Sequence, residues 1–176
     1  MTKSCNPGKL AVMVREISAG GVVVRQRDGE WWLAAIELPA GPELPAASPK
    51  LSSKRVKPVL ALPKGLVDPG EKPLETALRE VYEETGVRAD VITKLGDIKY
   101  IYTRTWAGGE RVFKIVSFYL MHYRAGRIND ITAEMRLEVA HALWLKLEDA
   151  ARLLAYKGEK QMVRRAMEYL NEHPEP

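Results

Sequence analysis

Residues Gly65 to Val87 read GLVDPGEKPLETALREVYEETGV, and this stretch decides the fold. Asp68-Pro69-Gly70 spells a turn. Pro73 sits where a helix can begin, because its missing N–H has no intrahelical partner to lose there. Gly86 suits the left-handed residue that ends a helix. Between them, Leu74, Ala77, Leu78 and Val81 stand at i, i+3, i+4 and i+7 and predict the buried stripe. Glu80, Glu83 and Glu84 stand at i, i+3 and i+4, so the spacing predicts three carboxylates on a separate face. Like charges so close destabilise an isolated helix. Divalent cations among them would remove the conflict, and hard oxygen ligands suit Mg²⁺ or Mn²⁺. Arg79 is placed to pair with Glu75 and Glu83 and to reach Glu71, its planar fork orienting the carboxylates it holds.

The same segment matches the Nudix box, G-x5-E-x7-R-E-U-x-E-E-x-G-U with U aliphatic, at every specified position: Gly65, Glu71, Arg79, Glu80, Val81, Glu83, Glu84, Gly86 and Val87. The chain thus resembles the Nudix hydrolases, and the likeness extends over residues 10 to 172. The resemblance implies a Nudix-type α/β/α sandwich with a mixed central sheet, and Mg²⁺-dependent hydrolysis of a phosphoanhydride bond by an activated water. It implies metal ligation by Glu80, Glu83 and Glu84 and by the backbone carbonyl of Lys64, with about two or three ions expected when substrate is bound. Gly65, Glu71, Arg79 and Gly86 take structural roles in that scheme. A late-loop glutamate commonly serves as ligand or general base, and Glu138, in E-x5-W with Trp144, resembles it. Glu134 is the second choice.

Upstream of the box, Ile17 to Arg25 (ISAGGVVVR) reads as a buried strand, Asp28-Gly29 as a turn and Trp31 to Leu38 as the hairpin partner. Pro39 to Pro58 is a loop of about 20 residues, long for a compact domain. It carries Lys50, Lys54, Arg55 and Lys57, which as a mobile lid would clamp a polyphosphate; the plain reading is a solvated loop. Val59 to Leu62 resumes a short strand.

Downstream, Gly96 to Thr105 and Glu110 to Tyr123 predict a second hairpin, with Ile98, Tyr100 and Tyr102 on one face. Glu138 to Leu147 reads as a last strand, Glu148 to Tyr156 as a short helix and Glu159 to Asn171 as a terminal helix, with Val163, Ala166, Met167 and Leu170 on its apolar side. Strands, a helix, strands and then helices predict an α/β or α+β architecture, here in one domain over residues 1–176.

The box leaves the substrate open. Leu62-Pro63-Lys64-Gly65, Ser18-Ala19-Gly20-Gly21, Tyr100, Tyr102 and the Glu138/Trp144 pair resemble the diadenosine polyphosphate hydrolases. The order of expectation is a dinucleoside polyphosphate first, then a nucleoside triphosphate in the MutT-like manner, then a diphosphoinositol polyphosphate, an ADP-sugar or an RNA 5′ end. Lys64, Tyr100, Tyr102, Lys54 and Arg55 are the candidate substrate contacts, and Tyr100, Tyr102, Trp106 and Tyr119 the aromatics able to stack a base. His122, His141 and His173 lack metal-ligand spacing.

Composition narrows the class. A single cysteine, Cys5, excludes an intrachain disulfide and points to a reducing, cytoplasmic setting. No apolar run reaches membrane-spanning length and no signal-peptide core precedes Leu10, so no membrane partner is expected. A net charge of +4 is too mild to argue for nucleic acid as a partner. The expected partner is a small nucleotide or polyphosphate, and the expected state a monomer or homodimer.

Overall fold

The computed structural model describes residues 13–39, 58–104 and 109–174. Lys50, Lys54, Arg55, Lys57, Trp106 and Cys5 therefore lie outside the described residues, and with them the predicted lid. Among the described residues the elements are β1 (Val14–Arg27), β2 (Glu30–Leu38), β3 (Val59–Ala61), β4 (Lys64–Leu66), α1 (Pro73–Thr85), β5 (Val87–Arg104), β6 (Glu110–Gly126), β7 (His141–Lys146), α2 (Leu147–Leu153) and α3 (Lys157–Glu172).

The seven strands form one mixed sheet. Its main path runs β3-β2-β1-β6-β5, with β4 against β1 and β7 against β2. β1 and β6 are parallel, and the other pairs are antiparallel. β1 shows why helices cover both faces. Ala19 and Val23 point to the side where Ala77 and Val81 of α1 pack, whereas Val22 and Val24 point to the side where Met162, Val163, Ala166 and Leu170 of α3 pack. Successive side chains alternate across a strand, so an unbroken apolar run feeds two cores at once. The result is the expected α/β/α sandwich.

The structure amends several expectations. β5 begins at Val87, directly after Gly86, rather than at Gly96; register shifts at Arg88/Ala89, Val91/Thr93 and Lys94/Gly96 break the alternation that would have revealed its first half. β4 was not foreseen, since Lys64-Gly65-Leu66 has no pattern of its own; pairing with Ser18, Ala19 and Gly20 makes it a strand. The last strand starts at His141, and Glu138 closes a 3₁₀ turn over Met135–Leu137 just before it.

The largest amendment concerns α1. Leu74 is exposed, whereas Glu80 and Glu84 are buried beside Ala77 and Val81. Two of the three carboxylates, Glu80 and Glu84, are turned inward against β4, and Glu83 stays half-exposed.

Candidate active site

α1 is held at both ends by its own sequence. Glu75 accepts the N–H of Lys72 at 2.9 Å, closing the first turn. Gly86 is left-handed, with φ 78°, and donates to the carbonyl of Tyr82 at 2.8 Å. Close packing sets the helix on the sheet. A Cβ on Gly21 would strike Val81, and one on Gly65 would overlap the Glu80 carboxyl group. Only glycine at 65 lets β4 lie directly over that carboxylate.

Arg79 organises the acidic residues. Its Nε donates to Glu71 Oε1 at 3.0 Å and its Nη2 to Glu71 Oε2 at 2.9 Å, a two-pronged grip. Nη1 reaches Glu80 Oε1 at 2.7 Å and Glu83 Oε2 at 3.0 Å. Thr76 also donates to Glu71 at 2.6 Å. The Arg79 bonds, then that from Thr76, bring the Glu71 carboxyl down to about 2. The expected pairing of Arg79 with Glu83 and Glu71 is present, but Glu75 serves the helix start instead.

Glu80 and Glu84 behave oppositely. Burial raises both, with Glu138 adding repulsion to each, and Glu84 is pushed up to about 8 despite the Lys64 N–H that it accepts at 2.7 Å. Each of Glu80, Glu83 and Glu84 keeps one carboxylate oxygen to which no described donor is bonded. Among the described residues no three side chains of His, Cys, Asp or Glu converge as a ready cation cage; Arg79 stands between Glu80 and Glu83. Two desolvated carboxylates beside a third, each with a free hard oxygen, are nonetheless a donor set that fits a divalent cation.

Two cavities meet at Lys64. One of about 390 Å³ is bordered by Ser18, Lys64, Gly65, Asp68, Glu80, Lys114 and Glu138. Glu138, not Glu134, therefore shares a cavity with Glu80; Glu134 borders another, with Glu83 and Glu138. The second, of about 450 Å³, lies between the sheet and the start of α3, walled by Ile98, Tyr100, Val116, Phe118 and Tyr156, with Lys64 and Glu159 at its polar end. Lys64 borders both cavities. Burial of its ammonium is outweighed by Glu159 at 3.1 Å, so it is held firmly protonated.

Of the sequence-predicted contacts, Tyr100 lines the larger cavity. Tyr102 instead donates to Glu16 at 2.9 Å, in a cluster with Arg104 and Lys114, and Tyr119 packs against the α1 core. Ser18, whose buried hydroxyl has no partner among the described residues, stands in the Ser18-Ala19-Gly20-Gly21 stretch that the sequence singles out, though not there as a site residue. Lys114, Tyr156 and Glu159 are marked by no local pattern. A run-on from the terminal helix at Glu159 was visible, but its burial was not.

Residues 14–166 match the model of the NUDIX domain. The chain is 34% identical over 158 residues to the putative mutator protein MutT4 of Mycobacterium tuberculosis, an alignment covering 90% of this chain and 57% of that protein. It is 34% identical over 118 residues to the asymmetrical bis(5'-nucleosyl)-tetraphosphatase of Mus musculus, covering 64% of this chain and 72% of the relative. The C. elegans Ap4A hydrolase binary complex superposes with a TM-score of 0.59 at 19% identity, over 89% of this chain and 98% of that one, a likeness of fold. No described helix is long and apolar enough to cross a membrane.

Proposed function

The chain belongs to the Nudix domain family, and from that premise we propose that it hydrolyses a phosphoanhydride bond in a nucleoside-diphosphate-linked substrate, with a dinucleoside polyphosphate as the preferred one. The observation that carries this reading is the junction at Lys64. Its backbone N–H is bonded to the buried acidic face, and its side chain reaches the head of an aromatic-walled cavity. A nucleobase is flat and apolar on its faces, which suits Tyr100 and Tyr156, and the polyphosphate attached to it would run past Lys64 toward Glu80 and Glu84.

In this reading Glu80, Glu83, Glu84 and the Lys64 carbonyl hold Mg²⁺ or Mn²⁺, about two or three ions with substrate present. Bound there, such ions supply neutralisation of phosphate charge and a more acidic attacking water. Glu138, exposed and bordering the same cavity as Glu80, takes the proton from that water. Lys114, in the lining of the same cavity, adds positive charge. Gly65, Glu71, Arg79 and Gly86 keep the acidic face in place without touching substrate.

A second reading, hydrolysis of nucleoside triphosphates in the MutT-like manner, is favoured by the long alignment with the mycobacterial mutator protein. One experiment separates them. The full chain is assayed with Mg²⁺ against diadenosine tetraphosphate, canonical and oxidised nucleoside triphosphates, ADP-ribose and 5′-triphosphorylated RNA, with products resolved by chromatography. We expect the dinucleotide to give the highest kcat/KM and chelator to abolish turnover. Preference for a nucleoside triphosphate would install the second reading, and no metal-dependent hydrolysis of any substrate would end both.

A further inference from the structure

Glu159 is buried on α3, 2% exposed, among Met162, Val163, Ala166 and Leu170. A carboxylate there costs more to desolvate than an apolar side chain unless its bonds offset the loss. Those bonds all go to one short segment. Oε2 accepts the N–H of Leu62 at 2.9 Å. Oε1 lies 3.1 Å from Lys64 Nζ. Lys64 Nζ also donates to the Leu62 carbonyl at 3.5 Å.

That segment is the gap between two strands. β3 ends at Ala61 and β4 begins at Lys64. Pro63 has no N–H, so Leu62 offers the sole backbone donor of the Leu62–Pro63 link, and Leu62 is fully buried. Glu159 satisfies it. Two residues on, the N–H of Lys64 donates to Glu84 Oε2 at 2.7 Å. Carboxylates from α3 and α1 thus grip one turn, through amide N–H groups two residues apart.

We propose that Glu159 is a positioning residue for the hydrolytic site: by anchoring Leu62 it sets the Lys64 amide, and through that amide the orientation of Glu84. The terminal helix is then part of the metal-site machinery, though it supplies no ligand. The proposal rests on the reading of Glu84 as a ligand given above.

The test uses the full chain with Glu159→Ala, Glu159→Asp and Glu159→Gln. Mn²⁺ affinity is read by paramagnetic resonance of the free ion, and hydrogen exchange is read at the Lys64 amide. Alanine has no acceptor, and aspartate keeps the charge but is too short to reach Leu62. Both should weaken Mn²⁺ about tenfold or more, the usual loss when a group orienting a ligand is removed, and should speed exchange at Lys64. Glutamine retains the acceptor and should stay within about threefold of the parent. In a Glu84→Gln background Glu159→Ala should add nothing to the Mn²⁺ defect, because residues acting through one another are not additive.

Aspartate carries the test if the alanine variant does not fold. Unchanged Mn²⁺ affinity and Lys64 exchange in a folded alanine or aspartate variant would overturn the proposal while leaving a hydrolase reading intact. So would a Mn²⁺ loss that adds in full to that of Glu84→Gln. An inactive parent whose Lys64 amide still loses protection in the aspartate variant would instead remove the hydrolase reading and keep the relay.

Discussion

The N–H of Lys64 points at Glu84 Oε2 from 2.7 Å, and this bond joins β4 to the acidic face of α1. The carboxylate it meets is buried and reluctant to ionise. Replacing Glu84 by glutamine preserves a carbonyl acceptor for Lys64 and removes only the ability to ionise when a cation binds. Glu84→Gln should therefore fold normally and lose about 100-fold or more in turnover, as for other electrostatic catalytic groups, and Glu83→Gln should do the same. Steady-state kinetics beside thermal melting checks this; near-parental turnover in both folded variants would sink the assignment.

Metal uptake should release a proton. Burial raises Glu84 from 4.5 to about 8, so at neutral pH the metal-free carboxyl is largely protonated, and a cation must displace that proton. A raised folded value stabilises the metal-free protein fully below the unfolded value of about 4.3 and loses that stabilisation as pH rises through 8. Stabilisation by Mg²⁺ should accordingly grow between pH 6 and 8.5, about the span of that titration. Calorimetry in buffers of different ionisation enthalpy counts the proton. Zero release at pH 7, or equal release in Glu84→Gln, would contradict it.

Whatever was local on α1 was legible in the sequence. Glu71, Arg79, Glu80, Glu83 and Glu84 stand within one turn and one helix, so their spacing alone brings them together. What failed was the side on which they lie. Leu74 looks like core because it fits the apolar stripe, yet it sits at the helix start, where it is exposed. Glu80 and Glu84 are covered because β4 crosses them, and three residues of unpatterned sequence cannot announce a strand. Glu159 is out of reach of any local reading, since its bond to Leu62 spans 97 positions. The large cavity is likewise assembled from β5, β6 and the start of α3, which no spacing connects.

Gly65 tests the claim that β4 lies on the carboxylate. An alanine Cβ would overlap the Glu80 carboxyl group, and Glu80, itself tied to Arg79 at 2.7 Å, cannot retreat without breaking that bond. Gly65→Ala should cost about 1–3 kcal/mol of stability by overpacking. It should cost about 100-fold in turnover, since small displacements at a reacting centre are expensive. Melting curves and kinetics read the two losses; a fully active, equally stable variant would show that β4 stands further off.

The aromatic-walled cavity predicts a different signature. Tyr100 and Tyr156 wall it, so each offers a ring face on which a base can stack. Tyr156→Ala and Tyr100→Ala should raise KM for a dinucleotide about tenfold each, in line with the energy of one stacking contact. Turnover and metal dependence should barely change. Tyr102→Phe, which loses the hydroxyl bonded to Glu16, should leave KM untouched. A larger effect from Tyr102 than from Tyr156 would move the base along the same face of β5, away from α3.

Acid sensitivity should trace to Glu71. The bonds from Arg79 and Thr76 lower its carboxyl from 4.5 to about 2. A depressed folded value gives stability that is fully present above the unfolded value of about 4.3 and is lost as pH falls through 2. The native protein should then lose stability progressively between about pH 5 and 2, where the unfolded chain binds the proton first. Glu71→Gln cannot take up that proton. It should be less stable than the parent at pH 7, because the doubly bonded Arg79 partner is gone, yet its stability should fall less steeply below pH 5. Denaturant titrations from pH 2.5 to 7 give both curves. They should converge toward the acid end, and parallel curves would place the acid-sensitive group elsewhere.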